Sequence, residues 1–457
     1  MMDTAMAARA VGGSVIGAAV RFSRVTTDTR GLAPGDLFVA LKGERFDGHD
    51  FVEQALADGA AAALVERSRA SSLEGNFIAV DDPLQSLAAL ATFWRARFTI
   101  PVAVVTGSNG KTTTKEMIAA IFRAAVGDDA VAATPGNFNN AIGLPLAVLA
   151  MRSHHRLAVF ELGMNHRGET RELARIAQPT IAVVTNAQRE HQEFMRTVDE
   201  VAAEHADAVG ALPADGTAVI NADDPRVATW HAVAQGTRAR AVTFGLDHAA
   251  DVRARCVAHA DGSALELVTP AGTAHIMLHV PGRHMAMNAL AAAAVGYAAE
   301  LPVTAIVRGL QAFQPVRGRL VTSTTATSVT VIDDTYNANP DSVRAAIDVL
   351  AARVAPRWLA LGDMGEVGDE GPRYHQEIGA YARAAGIDRV FGSGELTRHA
   401  VTAFGAGAEH FESVDDLARE LVARAQAGVT VLVKGSRFMR MERIVAALAG
   451  VAAGGAH

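Results

Sequence analysis

Thr106, Gly107, Ser108, Asn109, Gly110, Lys111 and Thr112 follow an apolar run, VAVV, and lead into the helix-forming stretch TTKEM. Glycines at this spacing let backbone N–H groups close around phosphate oxygens, and the start of a helix adds a favourable dipole. Lys111 stands where it neutralises outer phosphates, and Thr112 where its hydroxyl meets magnesium, with Thr113 extending the cradle. The segment departs from the general form G-x-x-x-x-G-K-[ST], because position 105 is valine. What stands here is the shorter T-G-x-x-G-K-T, and the plain alternative is a glycine-rich turn.

Three other clusters carry chemistry. Glu161 ends the apolar run RLAVFELG, and a carboxylate beside bound nucleotide holds magnesium. Asn186, His191 and Glu193 follow the run TIAVVT, although a lone histidine is more often structural. Asn137, Asn139 and Asn140 share a loop between two prolines, where amides either bind substrate oxygens or build turns. Lysine usage adds a signal, since only Lys42, Lys111, Lys115 and Lys434 are lysines among 42 basic residues. Arginine has taken nearly every position where either cation serves, so the surviving ammonium groups either mark sites where the guanidinium fork is no substitute or, as at Lys42 and Lys434 taken alone, survive by chance.

These residues need elements to hold them. The runs VAVVTG, RLAVFELG, TIAVVTN and GTAVIN alternate with helical stretches, which predicts a parallel sheet covered by helices on both faces. A strand at PGDLFVAL and a helix, turn and strand in FVEQALADGAAAALV precede that region. WLALGDMG, RVFGSG and VTVLVKGS follow it as a smaller α/β unit, and the terminal AAGGAH reads as a frayed tail. The length of 457 residues fits about three domains of roughly 100 to 200 residues each. We place them at 1–98, 99–316 and 317–457.

Composition excludes several classes. No uncharged apolar run approaches the roughly 20 residues needed to span a bilayer, so membrane insertion is not expected. The first ten residues, MMDTAMAARA, lack a basic start leading into a long apolar core, and a cytoplasmic location is the expectation. Cys256 is the sole cysteine, which rules out an internal disulfide framework and a thiolate metal cluster. A net charge of −7 leaves no broad basic surface for nucleic acid.

The motifs TGSNGKTTTKEM, NFNNAIGLP, ELGMNHRGE, INADDP, PGRHMAMNALAA, DDTYNANPDS, LGDMGEVG and VLVKGSRFMRME occur in an order that resembles the Mur ligase family along essentially the whole chain. The resemblance implies an α/β protein of three domains: an N-terminal domain for a UDP-sugar, a central P-loop ATPase domain and a Rossmann-like C-terminal domain. It implies ATP and Mg2+ as cofactors. By matching positions, Lys111, Glu161 and His191 are the catalytic residues, with Thr112, Glu161 and His191 holding the metal. Thr106, Gly107, Asn109, Gly110, Lys111, Thr112, Thr113, Asn288, Arg319, Asp334, Tyr336 and Asn337 meet the nucleotide. Thr27, Asp28, Thr29, Arg30, Lys42, Gly43, Asn139 and Asn140 meet the substrate. A turn with solvated charges explains Asp28 and Arg30 as well; a helix-capping amide explains Asn288, and a domain-interface ion pair Arg319.

Within the family, DTRGLAPGDLFVALKGERFDGHDF and DDTYNANPDS resemble the branch that joins D-alanyl-D-alanine to UDP-MurNAc-tripeptide, working as a monomer. The alternatives are a sister ligase, such as a tripeptide-forming or folylpolyglutamate-like enzyme, or a nucleotide-dependent switch. One departure stands out. The family often carries a carbamylated lysine after the His191 stretch, and here His205 occupies that place, with no lysine between Lys115 and Lys434. The missing carboxylate is then expected from Glu204 or Asp207, or His205 is a surface residue and nothing replaces it.

Overall fold

The computed structural model describes residues 1–71 and 73–450, so the AAGGAH tail lies outside the described residues. Three helix-covered sheets follow one another along the chain. The first has five strands in the order Ser14–Ile16, Phe77–Val80, Ala62–Glu66, Asp36–Val39 and Arg24–Thr26, parallel except for its first pair. The third has six, in the order Val321–Thr324, Thr330–Asp334, Thr430–Lys434, Arg357–Gly362, Arg389–Ser393 and Ala408–Phe411, again parallel after an antiparallel first pair.

The central sheet has nine strands. From one edge, Val131–Ala133, Leu157–Glu161, Val102–Thr106, Ile181–Val184, Thr217–Asn221, Arg240–Gly245 and Val252–His259 run parallel. Gly262–Thr269 and Gly272–Leu278 then extend it antiparallel, which the expectation of a parallel sheet did not include. Connection length explains the change. Only residues 260–261 and 270–271 join these strands, and a two-residue link closes a hairpin but never a parallel crossover.

Strand alternation divides the apolar interior. Val102 and Val104 point to one face with Ala158, Phe160, Ala182 and Val184, and that cluster continues into Leu37, Leu64, Ile78 and Leu87 of the first sheet and its helix. Ala103 and Val105 point to the other with Val159, Ile181 and Val183, against the helices Lys111–Val126 and Arg283–Ala298, and that cluster reaches Ile332, Leu359 and Leu432 of the third sheet. Apolar burial therefore runs without a break from the central sheet into each neighbour.

A buried arginine fixes the junction with the first unit. Arg95, in the last turn of the helix Pro83–Arg95, donates to Ala177 O (2.8 Å), Gln178 O (2.8 Å) and Phe98 O (2.6 Å). Two of these carbonyls end the helix Glu169–Ala177, where no intrahelical donor remains for them. Arg95→Met should therefore destabilise the protein by about 2–4 kcal/mol, because the unpaired buried carbonyls lose their donors while the stem volume is kept. A urea unfolding midpoint equal to that of the unsubstituted protein would contradict the assignment.

Candidate active site

The chain leaves the strand Val102–Thr106, builds Val131–Ala133 and Leu157–Glu161 on one side, then crosses to build Ile181–Val184 on the other. Ligands collect at such a switch point, outside the carboxyl ends of the strands. Register aligns those ends: Glu161 lies beside Val105, and Val184 beside Thr106. The loop after Thr106, the carboxylate of Glu161 and the segment from Thr185 onward thus emerge side by side.

The loop is shaped by its two glycines. Gly107 has φ +130°, and a Cβ there would stand 2.0 Å from Thr185 Oγ1; Gly110 has φ +84°, and a Cβ there would stand 2.3 Å from Asn288 Oδ1. Asn186 pins the loop from the neighbouring strand. Its Oδ1 accepts from Asn109 N (2.9 Å), its Nδ2 donates to Asn109 O (3.0 Å), and its carbonyl accepts from Ser108 N (3.0 Å). The helix Lys111–Val126 starts at Gly110 with no side-chain cap, so its first N–H groups remain for an anion.

A cavity of about 790 Å3 opens over this loop. Its wall carries Asn109, Gly110, Lys111, Thr112, Thr113, Asn139, Asn140, Glu161, His191 and Asn288 from the central unit, and Arg319, Asp334, Tyr336 and Asn337 from the C-terminal one. Thr106 and Gly107 lie beneath the wall. Thr27, Asp28, Thr29, Arg30, Lys42 and Gly43 are not part of it. On the first unit, Asp28 and Arg30 pair with each other at 2.7 Å in an exposed turn, and Lys42 and Asp47 form an isolated backbone bridge that closes a short loop through Gly43 N and Phe46 O (2.9 Å).

Several residues have partners that separate the open readings. Asn288 sits in the second turn of the helix Arg283–Ala298 and caps nothing; its amide lies against Gly110. Arg319 makes no ion pair among the described residues: its Nη2 donates to Thr112 Oγ1 (2.9 Å), and its guanidinium stacks 4.1 Å from the Tyr336 ring centre. Asn139 Nδ2 donates to Glu161 Oε1 (2.8 Å), whereas Asn140 Oδ1 accepts from Ile142 N and Gly143 N and builds the turn into the next helix. Glu193 is exposed and off the wall. His191 has φ +48°, a strained conformation for histidine, and its Nδ1 stands 2.6 Å from Glu366 Oε2, a close contact without hydrogen-bond alignment.

Two wall residues escaped the reading of single motifs. Lys434 Nζ donates to Asp334 Oδ2 (2.5 Å) and Asn337 O (2.9 Å), joining two strand ends, and its survival as lysine was the available signal. Glu190, one position before His191, has its carboxylate 2.8 Å from His205 Nε2 and 3.2 Å from Lys111 Nζ. Burial pushes that carboxyl up, but the charge of Lys111 and the His205 hydrogen bond outweigh it and hold the pKa at about 2.

The donor set fits a magnesium nucleotide. The glycine cradle, the uncapped helix start, Lys111 and Arg319 supply positive potential for phosphates. Glu161 Oε2 is a buried carboxylate oxygen with no hydrogen-bond partner among the described residues, an atom that a cation satisfies. Among the described residues no three His, Cys, Asp or Glu side chains converge as a ready-made metal site, so a cation here draws further ligands from phosphate and water, as magnesium does.

Comparison with known proteins agrees with this geometry. The pattern described as the Mur ligase family catalytic domain matches residues 21–95, the Mur ligase middle domain matches 105–296, and the Mur ligase glutamate ligase domain matches 318–437. The UDP-N-acetylmuramoyl-tripeptide–D-alanyl-D-alanine ligase of Escherichia coli is 39% identical over 438 residues, covering 95% of this chain and 96% of its own. The chain belongs to the Mur ligase family. The enzyme of the same name from Bacillus subtilis is 36% identical, with 92% of each chain covered. A crystal structure of MurF from Acinetobacter baumannii superposes with a TM-score of 0.90 at 31% identity, covering 98% of this chain and 99% of that one. MurF of Thermotoga maritima, solved with ADP, has a TM-score of 0.82 at 27% identity over 93% and 97% of the two chains. As a Mur ligase it is an ATP-dependent enzyme that uses Mg2+.

The expected replacements for the family's carbamylated lysine need correction. His205 is no surface residue but fully buried, with Nδ1 2.8 Å from Thr106 Oγ1. Glu204 accepts from Gly168 N and Thr170 N at 2.8 Å each, capping the helix Glu169–Ala177, and Asp207 pairs with Arg171. Neither carboxylate faces the cavity, because a helix turns neighbouring positions to different sides. An imidazole forms no stable carbamate, and Lys115 is buried with Nζ bonded to Thr134 O (2.9 Å). Stripping bicarbonate and carbon dioxide from the assay should therefore leave ligase activity unchanged, and a loss restored by added bicarbonate would contradict this.

Proposed function

We propose that this Mur ligase joins D-alanyl-D-alanine to the terminal carboxylate of UDP-MurNAc-tripeptide and so makes the pentapeptide precursor of peptidoglycan. The observation that carries the reading is the cavity in which the phosphate loop, Glu161 and the C-terminal Arg319, Asp334 and Asn337 meet. Relatives matched over nearly their whole length bear the corresponding name and support the choice of substrates.

Chemistry requires an activated carboxylate. A carboxylate oxygen attacks the γ-phosphorus of ATP, ADP leaves, and the resulting acyl phosphate loses phosphate to the incoming amine, which sheds a proton. Lys111 and Arg319 stabilise the transferring phosphoryl group, and the α-helix start at Gly110 adds N–H donors. Thr112, Glu161 and His191 hold magnesium, which when bound neutralises phosphate charge. Asn288 orients the phosphate loop through its contact with Gly110, while Asp334, Tyr336 and Asn337 form the nucleoside end of the cavity. Asn139 orients Glu161 through their hydrogen bond. Thr27, Asp28, Thr29, Arg30, Lys42 and Gly43 receive the UDP-sugar on the first unit. A cytoplasmic, monomeric enzyme belongs to the same proposal. None of the described helices is long and apolar enough to cross a membrane.

Lys111→Ala should lower ligation by at least about a hundredfold while far-UV circular dichroism stays unchanged, since a lysine on the cavity wall supplies charge rather than core packing. A collapse of the dichroism spectrum would contradict that role. Phosphate release should require UDP-MurNAc-tripeptide and D-alanyl-D-alanine together. Release at full rate with neither present would favour the nucleotide switch, and release with a folate and glutamate would favour the sister ligase.

A further inference from the structure

Glu190 is a charged wall residue beside the phosphate loop to which the proposed mechanism gives no role. Its side chain is 6% exposed, and its ion-pair partners are Lys111, His191 and His205, with the Glu366 carboxylate the like-charged group beyond His191. Oε1 meets His205 Nε2 at 2.8 Å. Oε2 faces Lys111 Nζ at 3.2 Å and His191 Nε2 at 3.8 Å.

The two oxygens differ in how they are held. His205 is completely buried, and its second nitrogen meets Thr106 Oγ1 at 2.8 Å. Thr106 ends a strand in the middle of the central sheet, so the sequence Thr106, His205, Glu190 Oε1 is a rigid support running from the sheet to the cavity. A histidine placed between a hydroxyl and a carboxylate donates from Nε2 to the carboxylate whichever tautomer partner Thr106 provides. Oε1 is thereby committed, and Oε2 is the oxygen turned towards the loop.

Lys111 has a conflict of duties. Its Nζ donates to Gly107 O (2.5 Å), Ser108 O (3.2 Å) and Glu190 Oε2 (3.2 Å), which uses all three of its protons. To reach a phosphate the ammonium must give up at least one of these. The carbonyls belong to the loop that carries it, so Glu190 is the partner from outside the loop. A buried carboxylate oxygen deprived of its cation is costly, and a second buried carboxylate oxygen, Glu161 Oε2, already has no hydrogen-bond partner among the described residues.

We propose that Glu190 exchanges Lys111 for a divalent cation when nucleotide binds, its Oε2 becoming a carboxylate ligand of the metal and His205 acting as its positioning residue. The proposal rests on reading the cavity as the site of a magnesium nucleotide. It gives the buried His205 a purpose and identifies which carboxylate, among those near the loop, is aimed correctly. Glu204 and Asp207 are both tied to other groups.

The test is Mn2+ binding to the full-length protein, followed by electron paramagnetic resonance with a non-hydrolysable ATP analogue present, alongside analogue binding in metal-free buffer. Glu190→Gln should weaken Mn2+ in the ternary complex at least about tenfold while metal-free nucleotide affinity stays the same or rises, because Lys111 is no longer held by a charge. His205→Gln, which keeps a donor but loses the fixed ring, should weaken Mn2+ by a smaller factor and leave circular dichroism intact. If Glu190→Gln does not fold, Glu190→Asp is read by the same titration and should also weaken Mn2+, since the shorter stem draws the oxygen back. Unchanged Mn2+ affinity in a folded Glu190 variant overturns the proposal. So does a variant whose nucleotide affinity falls equally with and without metal, which would make Glu190 an anchor for Lys111 and nothing more. Failure of the unsubstituted protein to bind the analogue at all would instead overturn the nucleotide reading itself.

Discussion

The placement of one strand, Val102–Thr106, between two parallel neighbours built later in the chain is the constraint on which the site depends. Parallel pairing requires each neighbour to be reached by a crossover, so three connections leave the same edge of the sheet within a few ångströms of each other. Burial on both faces forces all three strands to be apolar, and polar residues are admitted only where the strands end. Glu161, Thr106 and Thr185 appear at that limit for this reason. The glycines follow in turn: Gly107 passes so close to Thr185, and Gly110 so close to Asn288, that no side chain fits at either position. The phosphate loop is thus a consequence of strand order as much as of its own residues.

The C-terminal unit completes the cavity through polar contacts as well as apolar ones. Arg189 holds Asp341 (2.6 Å) and Glu377 (2.8 Å) on two different helices of that unit, and Asn109 of the phosphate loop exchanges amide hydrogen bonds with Asn339. Asn339 also caps the helix Pro340–Ala351 in a reciprocal box with Ser342. The end of DDTYNANPDS therefore has three tasks: it starts a helix, touches the loop and supplies the wall beside Tyr336. His191 and Glu366, both in the left-handed region, meet across the same seam, so backbone strain on each side is balanced by the contact between them.

Contiguous motifs made much of this legible. The loop from Thr106 to Thr113, Glu161 at a strand end and the strand alternation of the central sheet are local patterns, and local patterns survive reading in one dimension. Glu190 was not legible, because which of two nearby carboxylates enters the cavity depends on how the loop after Val184 bends. Glu193 has the same chemistry and points outward. His205 was legible as a departure from the family but not as a buried support, since a helix discloses its inner face only once its packing against the strand Val102–Thr106 is known. The antiparallel extension hid for a different reason: its outer strand, Gly272–Leu278, is largely exposed and alternates exposed and buried residues at its end, unlike the wholly buried parallel strands Val102–Thr106 and Leu157–Glu161.

Lysine usage connects these levels. In a chain that prefers arginine almost everywhere, Lys111, Lys115 and Lys434 are 16%, 0% and 3% exposed, and each places its ammonium against at least one backbone carbonyl together with a carboxylate. Such pockets converge on a point. A guanidinium is planar and spreads its donors over a fork, which suits the bidentate grip of Arg189 on Asp341 but cannot bring three protons to acceptors arranged around one atom. The same geometry explains mobility. An ammonium on four rotatable bonds can leave Glu190 and reach a phosphate by turning its stem, whereas a forked cation locked to a carboxylate would have to break two aligned bonds at once. Exposed Lys42 stands apart from this pattern; the other three lysines carry a largely buried charge, and Lys111 is the position where the chemistry requires that charge to move as well.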